Sequence, residues 1–546
     1  MKKIVIISLF VVIGFVIWMN RINLLVTVAG FIEDLKKPIS AHQEIQWEQG
    51  PSTPELSKDN RPPNIIVILA DDLGFNDISY YGGGTIETPH IDTLAKEGIA
   101  FNNAYAGNAV CAPSRAMIMT GRYGTRFGFE FTPTPAGMST FLPALYAKSD
   151  HIHPPVVHKV GKKDVPPFDQ CGLPASEITI AELLKKADYH TVHIGKWHLG
   201  SENNMAPEKQ GFDESLFMAS GLYLPEDDPD VVNSKQDFDP IDMFLWKRMR
   251  YAASFNSGSW FKPKGYLTDY YTDEAIKVIE ANKNRPFFLY LAHWGIHSPL
   301  QALKSDYDAL SNIKDHRLRV YSAMIRALDR SVERVMKALK DNGLDENTMV
   351  IFSSDNGGAG YVGLPDINKP YRGWKITLFE GGTHVPFFVR WPKNLPSGTT
   401  FSHPVSHMDI FATAAAAAGV ALPDDRKIDG VNLLPFIKNE VTGKPHDALF
   451  WRSGHYQSVL KDGWKLQVSG RPNKSWLFNL NEDPTEMRNL AETNPDKVKE
   501  LKEVLAAHNS EQIEPLWPSS GELPVFIDKT SAQPETADDE YIYWPN

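Results

Sequence analysis

Cysteine is scarce in this chain: Cys111 and Cys171 are the only two among 546 residues. Two cysteines allow at most one disulfide bond, so the chain is not a small domain held together by disulfides. An excess of positive charge is also lacking, because the formal net charge is -11 at pH 7. Nothing overall would attract phosphate groups, which argues against general nucleic-acid binding. The hydrophobic and charged fractions, 42% and 23%, are ordinary for a globular protein.

One long apolar run lies at the N-terminus, where Lys2 and Lys3 precede residues 4–19. Arg21 interrupts it, and a second apolar stretch, INLLVTVAGFI, follows. The run is intermediate between a signal-peptide core of about 7–15 residues and a spanning helix of about 20. The two lysines favour an N-terminus that stays inside. We therefore expect export, with residues 1–32 as a membrane anchor in preference to a cleaved signal peptide, and the remaining chain periplasmic or otherwise outside the cytoplasm.

Two patterns divide the rest of the chain. Short β-branched runs such as NIIVILA alternate with helical segments, which predicts a largely parallel sheet covered by helices on both faces. Beyond about residue 435, short strands follow one another with Asp462-Gly463 as a hairpin turn. Stretches at about 128–175 and 221–265 fit neither pattern and are predicted as insertions at the mouth of a site. The predicted divisions are a linker at 33–62, a main domain at 63–435, an antiparallel subdomain at 436–510 and a tail at 511–546.

Polar side chains follow four of the predicted strands. Asp71-Asp72 follow IIVILA and Asp355-Asn356 follow MVIFSS. Open α/β sheets bind ligands beyond the carboxyl ends of their strands, so these groups should converge. Three converging carboxylates repel unless a cation neutralises them, and an all-oxygen set suits Ca²⁺ or Mg²⁺. Either pair alone is more typical of a turn or helix cap, but the two pairs together favour a metal site.

Cationic and proton-transferring side chains follow other segments. Lys196 and His198 come after TVHIG, His297 after FFLYLAHWGI, and Lys375 lies in YRGWKITLFEGG. A single histidine is more often structural, but a lysine among apolar neighbours needs an anionic partner. With a dication, these four side chains describe a pocket for a small tetrahedral oxyanion.

Cys111 precedes a predicted short helix, SRAMIMTG, that ends at Gly121. Pro113 pushes Ala112 towards an extended backbone, and a helix N-terminus favours negative charge. Arg115 can donate two hydrogen bonds to an anion or hold a nucleophile in place. A buried structural cysteine is the common alternative, but the proline, the helix start and the arginine favour a functional one.

These segments together resemble the sulfatase family. CAPSRAMIMTGR is similar to the family signature, Cys-x-Pro-Ser-Arg followed by Thr-Gly, and NIIVILADDLG, GKWHLG, HSP and SSDNGG support it. The resemblance covers roughly residues 62–510 in the expected order. It implies an α/β, alkaline-phosphatase-like fold: a mostly parallel sheet sandwiched by helices, with a smaller C-terminal α+β subdomain that contains an antiparallel sheet. It also implies a sulfuric ester hydrolase.

The family chemistry implies that a maturation enzyme oxidises Cys111 to formylglycine. One hydroxyl of the hydrated aldehyde attacks sulfur while the alcohol leaves, and the second, once deprotonated, expels sulfate. The implied ligands of one Ca²⁺ are Asp71, Asp72, Asp355 and Asn356, completed by residue 111. The implied roles at the nucleophile and the sulfate are Arg115 and Lys196 holding the formylglycine hydrate, His198 as base for its second hydroxyl, Lys375 and His297 on the sulfate, and His297 as general acid.

Three other functions remain open at this point. A broad arylsulfatase would share the whole site. A phosphonate or phosphate monoester hydrolase of the same superfamily shares the cysteine signature in some cases, although a two-zinc phosphatase would need more His and Asp ligands than can be placed at these strand ends. A non-catalytic binder of sulfated glycans ranks last, because no nucleophile or ligand is missing.

A sulfated carbohydrate or polysaccharide is the favoured substrate. The second insertion mixes two tryptophans with five basic residues, which are Trp246, Lys247, Arg248, Arg250, Trp260, Lys262 and Lys264. Residues 151–163 are similarly basic. Aromatic faces suit sugar rings and cations suit additional sulfates, although a solvated charged loop explains the composition equally well. The sequence does not identify the sugar, the sulfated position, or endo or exo action.

Overall fold

The computed structural model describes residues 35–57, 60–134, 151–161 and 164–546. Its strands are β1 (Asn64–Ala70), β2 (Ile99–Phe101), β3 (Ala104–Tyr105), β4 (Val156–Val157), β5 (His190–Gly195), β6 (Glu214–Gly221), β7 (Val231–Ser234), β8 (Tyr251–Phe255), β9 (Phe287–Ala292), β10 (Leu300–Leu303), β11 (Thr348–Ser354), β12 (Phe387–Arg390), β13 (Thr399–Phe401), β14 (Val405–Ser406), β15 (Ala448–Ser453), β16 (Tyr456–Lys461), β17 (Trp464–Gly470), β18 (Asn473–Asn479), β19 (Gly521–Phe526) and β20 (Tyr541–Pro545). Its α-helices are α1 (Pro89–Lys96), α2 (Cys111–Thr120), α3 (Ile180–Lys185), α4 (Pro240–Arg248), α5 (Leu267–Ala281), α6 (Lys304–Ala309), α7 (His316–Asp341), α8 (Glu380–Thr383), α9 (Asp409–Ala418), α10 (Leu434–Ile437) and α11 (Pro495–Asn509).

The main sheet has nine strands in the order β13-β2-β12-β11-β1-β9-β5-β6-β8. The five consecutive strands from β11 to β6 pair in parallel. Only β12 and β8 run against the other strands of this sheet. The predicted mostly parallel sheet is therefore confirmed, and it places the carboxyl ends of β11, β1, β9 and β5 side by side.

Helices cover both faces of this sheet. All seven residues of β1 are buried, and successive side chains of a strand point to opposite faces. Ile66 belongs to a core that includes Leu328 of α7. Val67 belongs to a second core that includes Ile118 of α2 and Phe411 of α9. An apolar run without alternation therefore marks a strand between two helical layers.

The longest helix, α7, shows how the pattern positions a layer. Its buried side chains include Ile325, Leu328, Val332, Val335 and Leu339, which recur at three- and four-residue spacing. Asp315 caps the helix by accepting a hydrogen bond from the Leu318 amide.

The C-terminal subdomain is the predicted antiparallel sheet, in the order β15-β16-β17-β18. Asp462 and Gly463 connect β16 to β17 with φ values of 53° and 78°, as a type I′ hairpin turn requires. Leu501 and Leu505 of α11 pack on Leu466 of β17.

Three segments are more structured than the sequence predicts. Trp47 of the predicted linker is buried, and its indole donates a hydrogen bond to Glu274 at 2.7 Å. The second insertion supplies β7, α4 and the edge strand β8. The predicted tail forms β19 and β20, which build a three-stranded sheet with β4.

The predicted anchor or signal segment, residues 1–32, lies outside the described residues. Across the ranges that the structure does describe, no helix combines the length and apolarity that a membrane span requires.

Candidate active site

Neighbouring strand ends assemble the predicted site. Asp71 and Asp72 follow β1, and Asp355 and Asn356 follow β11, with which β1 pairs residue for residue from Asn64–Thr348 to Ala70–Ser354. The backbone joins the two ends as well, because the Asp72 amide donates to Asp355 Oδ1 at 3.3 Å. Because the carboxyl ends of parallel strands share one edge, two segments 283 residues apart meet here.

Cys111 is the first residue of α2, preceded by Val110 in extended conformation. Its Sγ lies 3.5 Å from Asp71 Oδ1 and 3.8 Å from Asp72 Oδ1. The helix ends at Gly121 in the left-handed region, with φ 66°, as predicted. The side chain of residue 111 therefore points from a helix start directly onto the carboxylates of β1.

Arg115, one turn further along α2, is completely buried. Its Nε donates to Asp355 Oδ2 at 2.8 Å and its Nη2 to Asp71 Oδ2 at 3.2 Å. Its third nitrogen donates to the Lys196 carbonyl at 3.0 Å. One guanidinium thus ties together the ends of β11, β1 and β5, and the fork geometry of arginine suits that task.

Two buried lysines complete the positive charge. Lys196 Nζ lies 2.6 Å from Asp71 Oδ2, and Lys375 Nζ lies 2.6 Å from Asp72 Oδ1. Lys375 also donates to the Tyr361 hydroxyl, which in turn donates to Asp72 Oδ2 at 2.8 Å. Burial raises the pKa of Asp72, but Lys375, His297 and Lys196 lower it more, so the pKa lies well below its usual value. Asp72 is therefore a carboxylate at neutral pH.

Both predicted histidines face the site in the neutral form. His297 Nδ1 donates to the Ser298 carbonyl at 2.6 Å, so its Nε2 is directed at the site, 3.7 Å from Asp72 Oδ2. Burial lowers the pKa of His297 to about 3. His198 has a left-handed φ of 62°, and within the described chain no group hydrogen-bonds its buried Nδ1. Burial, followed by the charge of Lys196, lowers the pKa of His198 well below its usual value.

The oxygen-rich set fits a hard cation. Asn356 Nδ2 donates to Asp72 Oδ1 at 2.8 Å, yet its Oδ1 is buried and receives no hydrogen bond from any described residue. A buried amide oxygen without a partner is costly unless a ligand satisfies it. One ligand atom from each of Asp71, Asp72, Cys111 and His297 falls within 4.8 Å of the others. His297 was not predicted as a metal ligand, and its nitrogen suits Ca²⁺ less well than oxygen does.

The thiol of Cys111 is poorly suited to act as a nucleophile. Burial, followed by the negative charge of Asp355, raises the pKa of the Cys111 thiol well above its usual value. The thiolate is the nucleophilic form of cysteine, so an unmodified Cys111 stays protonated and unreactive at neutral pH. The surroundings that hold residue 111 in place thus argue against ordinary cysteine catalysis.

Comparison with known proteins decides the family. A model of the Sulfatase family matches residues 63–420, which include the whole site. The chain belongs to the sulfatase family. A second family model, described as N-sulphoglucosamine sulphohydrolase, C-terminal, matches residues 373–511. The predicted family, fold and sulfuric ester hydrolase class are confirmed.

Individual relatives agree with this assignment. The chain is 34% identical to human N-acetylgalactosamine-6-sulfatase over 381 residues, which are 69% of this chain and about two thirds (66%) of the human protein. It is 32% identical over 440 residues to the uncharacterised sulfatase YdeN of Escherichia coli, with 73% and 70% of the two chains covered. The crystal structure of Ps i-CgsB in complex with k-i-k-neocarrahexaose superposes with a TM-score of 0.69 at 31% identity, covering 84% of this chain and 95% of that one.

Two residues of this sulfatase site were not predicted from the sequence. Tyr361 bridges Asp72 and Lys375, and Trp294 stacks on His297 with ring centres 4.0 Å apart. Both lie in loops that directly follow a strand of the site, namely β11 and β9. The strand-end rule that predicts the other residues would therefore also predict these two if it were applied to aromatic side chains as well as to polar ones.

A cleft opens beside Lys375 and Tyr361. Its volume is about 410 Å³, and its walls come from the N-terminal end of α4, the loop at 360–376 and the C-terminal residues 523–535. The predicted tail is thus a wall of the site. The aromatic and basic residues between 246 and 264 that were predicted to hold a polysaccharide are not among the cleft-lining residues in the described part of the chain.

Part of that predicted group instead packs on the N-terminal segment. Lys37 Nζ lies 5.4 Å from the ring centre of Trp260. Lys264 Nζ lies 3.9 Å from Glu44 Oε1. These side chains hold the segment before β1 against the edge of the main sheet. Their role is structural, and amino-acid composition alone does not distinguish such a role from ligand binding.

Proposed function

We propose that this sulfatase hydrolyses a sulfate ester of a carbohydrate, with residue 111 in its formylglycine form as the nucleophile. The observation that carries the proposal is the position of the residue 111 side chain, at the start of α2 and 3.5 Å from the first of two adjoining carboxylates. The raised pKa of the thiol argues against an unmodified cysteine as the nucleophile, because the site suppresses the thiolate.

The hydrated aldehyde would supply a hydroxyl nucleophile and a second hydroxyl that can lose its proton. Lys196 and Arg115 would hold the residue in place through the carboxylates and the carbonyl that they already contact. The low pKa of His198 keeps its imidazole neutral, so the ring can accept a proton. We assign the base role to His198 because the family resemblance implies it and because its buried Nδ1 has no hydrogen-bond partner among the described residues.

Lys375 and His297 would contact the sulfate group. Lys375 brings a buried positive charge to the mouth of the cleft, where negative charge develops on the leaving oxygen. His297 donates its Nδ1 hydrogen to Ser298, so its Nε2 must take up a proton before it can protonate the leaving oxygen. A bound sulfate anion favours that uptake, because an adjacent negative charge raises the pKa of an imidazole.

We propose that Asp71, Asp72, Asp355, Asn356 and residue 111 hold one Ca²⁺. The three carboxylates balance three buried cations, which are Arg115, Lys196 and Lys375. A dication would leave the site with an excess of positive charge, which suits an anionic sulfate ester. The unpartnered Oδ1 of Asn356 is the ligand atom that most directly supports this assignment.

Two relatives support a carbohydrate substrate: one is named for a sulfated amino sugar, and one was crystallised with a carrageenan oligosaccharide. We further propose a formylglycine-generating maturation enzyme as partner, and export of the chain through residues 1–32.

Mass spectrometry and sulfate release test the proposal together. The chain is co-expressed with a formylglycine-generating enzyme, the peptide containing Cys111 is weighed, and sulfate release is measured from 4-nitrophenyl sulfate and from monosulfated sugars. We expect formylglycine at residue 111 and activity that Cys111→Ala abolishes. Activity that persists in Cys111→Ala, or a fully converted protein that hydrolyses no sulfate ester, would refute the proposal.

A further inference from the structure

Apart from Lys375, the described walls of the cleft contain more acidic than basic side chains. Among the described residues that line the cleft, five besides histidine are charged. They are Asp237, Asp239, Lys375, Lys529 and Glu535. Lys375 belongs to the sulfate end of the site, so the remaining walls contain three acids and one lysine.

That lysine has no hydrogen left for a ligand. Lys529 Nζ lies 2.5 Å from Asp539 Oδ1 and donates to Thr536 Oγ1 at 3.1 Å and to the Pro534 carbonyl at 3.3 Å. An ammonium group has three donors, and these three partners use all of them. Lys529 therefore holds the loop between β19 and β20 in shape and does not present a cation to the cleft.

The histidine of the cleft is also committed to a carboxylate. His151 Nδ1 lies 2.5 Å from Glu535 Oε1, and the second oxygen of Glu535 accepts from the amides of Ile152 and His153. Any positive charge on His151 is thus opposed at once by Glu535. The contact also fastens the segment around β4 to the C-terminal loop.

One carboxylate on these walls is more available to a ligand than the lysine or the histidine. Asp237 is exposed at the cleft and forms no ion pair with another described residue. Asp239, by comparison, is buried and caps α4 by accepting from the Asp242 amide at 2.6 Å. A second anionic group on a substrate would therefore meet the carboxylate of Asp237 and, among the described residues of these walls, no uncommitted cation other than Lys375 at the sulfate end.

The other groups on the same walls are neutral. Phe238, Phe526 and Trp374 contribute apolar surface, of the kind that packs on the C–H face of a sugar ring. Ser531 and Gln533 are exposed beside them, and their hydroxyl and amide groups match sugar hydroxyls as hydrogen-bond partners. The cleft thus combines apolar faces with neutral polar groups and one free carboxylate.

We infer that the cleft binds the sugar from which the sulfate is cleaved, and that this sugar should carry no other charge. A second sulfate or a carboxylate on the same sugar is disfavoured. The inference rests on the proposed function, since it describes the group that the sulfate leaves behind. It replaces the expectation of additional bound sulfates with the opposite preference. Like charges brought together at an interface are a recognised source of specificity.

The test compares monosulfated sugars with their disulfated counterparts. Monosulfates of galactose, N-acetylgalactosamine and N-acetylglucosamine are each paired with a disulfate of the same sugar, and kcat/KM is measured for sulfate release at low ionic strength. For the best monosulfate, we expect the disulfate to be at least about tenfold poorer. Asp237→Lys should lower the ratio of the monosulfate kcat/KM to the disulfate kcat/KM about tenfold.

Asp227→Lys is the matched control, because Asp227 is exposed and does not line the cleft. It makes the same charge change and should leave the ratio unchanged. A disulfate that is hydrolysed as well as the monosulfate, or equal effects of the two variants, would overturn the inference. Hydrolysis of 4-nitrophenyl sulfate but of no monosulfated sugar would also overturn it while leaving the sulfatase chemistry intact. Failure on every ester by a fully converted protein would instead remove the proposed function.

Discussion

Replacing Lys465 by methionine should destabilise the protein severely. Lys465, on β17, is fully buried, with Nζ 2.7 Å from Glu380 Oε1 and 3.2 Å from Glu486 Oε1. Glu380 begins α8 in the main domain, whereas Lys465 belongs to the C-terminal sheet. The ammonium group therefore holds two buried carboxylates and joins the two parts of the molecule.

The expected loss follows from burial. Removing one partner of a buried ion pair leaves an uncompensated charge and costs about 3–5 kcal/mol, whereas an exposed pair contributes about 0–1 kcal/mol. Burial raises the pKa of Glu486 to about 7, although Lys465 lowers it. Without Lys465 that pKa rises further, so the folded variant must retain a proton at pH values where the normal protein has released it. The loss should consequently be larger at pH 8 than at pH 6.

Urea-induced unfolding at both pH values, followed by tryptophan fluorescence and circular dichroism, measures the effect. Lys461→Met is the matched control, because Lys461 lies on the neighbouring strand β16 and pairs with the exposed Asp462 at 3.0 Å. We expect the control to lose no more than about 1 kcal/mol. A Lys465→Met loss as small as that of the control, or a loss that is greater at pH 6, would refute the reasoning.

Three further predictions concern the site and its support. Burial raises the pKa of Asp77 to about 7, so the stability that its protonated form contributes is lost as pH rises from about 4 to 7. Asp77→Asn should therefore flatten this part of a plot of melting temperature against pH. An unchanged slope would contradict this role of Asp77. Asn356→Leu should remove most of the rise in melting temperature that Ca²⁺ gives the normal protein, and an equal rise in both would exclude Asn356 as a ligand. His297→Gln should lower kcat/KM about 10²–10⁴-fold on a sugar sulfate but far less on 4-nitrophenyl sulfate, whose leaving group needs little protonation; equal losses would exclude the acid role.

The sequence predicts that the strand-end side chains of the site converge because one geometric rule applies to them. Parallel strands end at a common edge, so the residues after each apolar run converge whatever their separation along the chain. That rule is sufficient to predict that Asp71, Lys196, His297 and Asp355 lie together. Local patterns locate the helices in the same way, since the apolar spacing of α7 and the glycine after α2 are both properties of neighbouring residues.

The walls of the cleft were not predictable by the same means. β19 pairs with β20 on one edge and on the other with β4, which lies more than 360 residues earlier. The β19 sequence GELPVF also contains a proline that weakens a strand prediction. The side chains of residues 246–264 look like a binding surface in composition, but the structure packs Trp260 and Lys264 on the N-terminal segment. The charge and aromatic content of a segment do not determine whether it packs against the rest of the chain or lines a binding site.

This division between site and walls has a chemical consequence. Apart from Lys375, the proposed catalytic groups are attached to the edge of the main sheet and to α2, where Cys111 and Arg115 contact Asp71, Asp72 and Asp355. The wall made by residues 523–535 lies beyond both matched regions, 63–420 and 373–511. It is held by the pairing of β19 with β20, by the buried side chain of Ile527 and by the contact of Lys529 with Asp539. A wall of this kind can change its charge without disturbing the chemistry, because its residues touch neither the carboxylates of β1 nor Cys111. Substrate preference should therefore respond to substitutions at Asp237 or in the C-terminal loop, while sulfate-ester cleavage should respond to substitutions at the strand ends, on α2 and at Lys375.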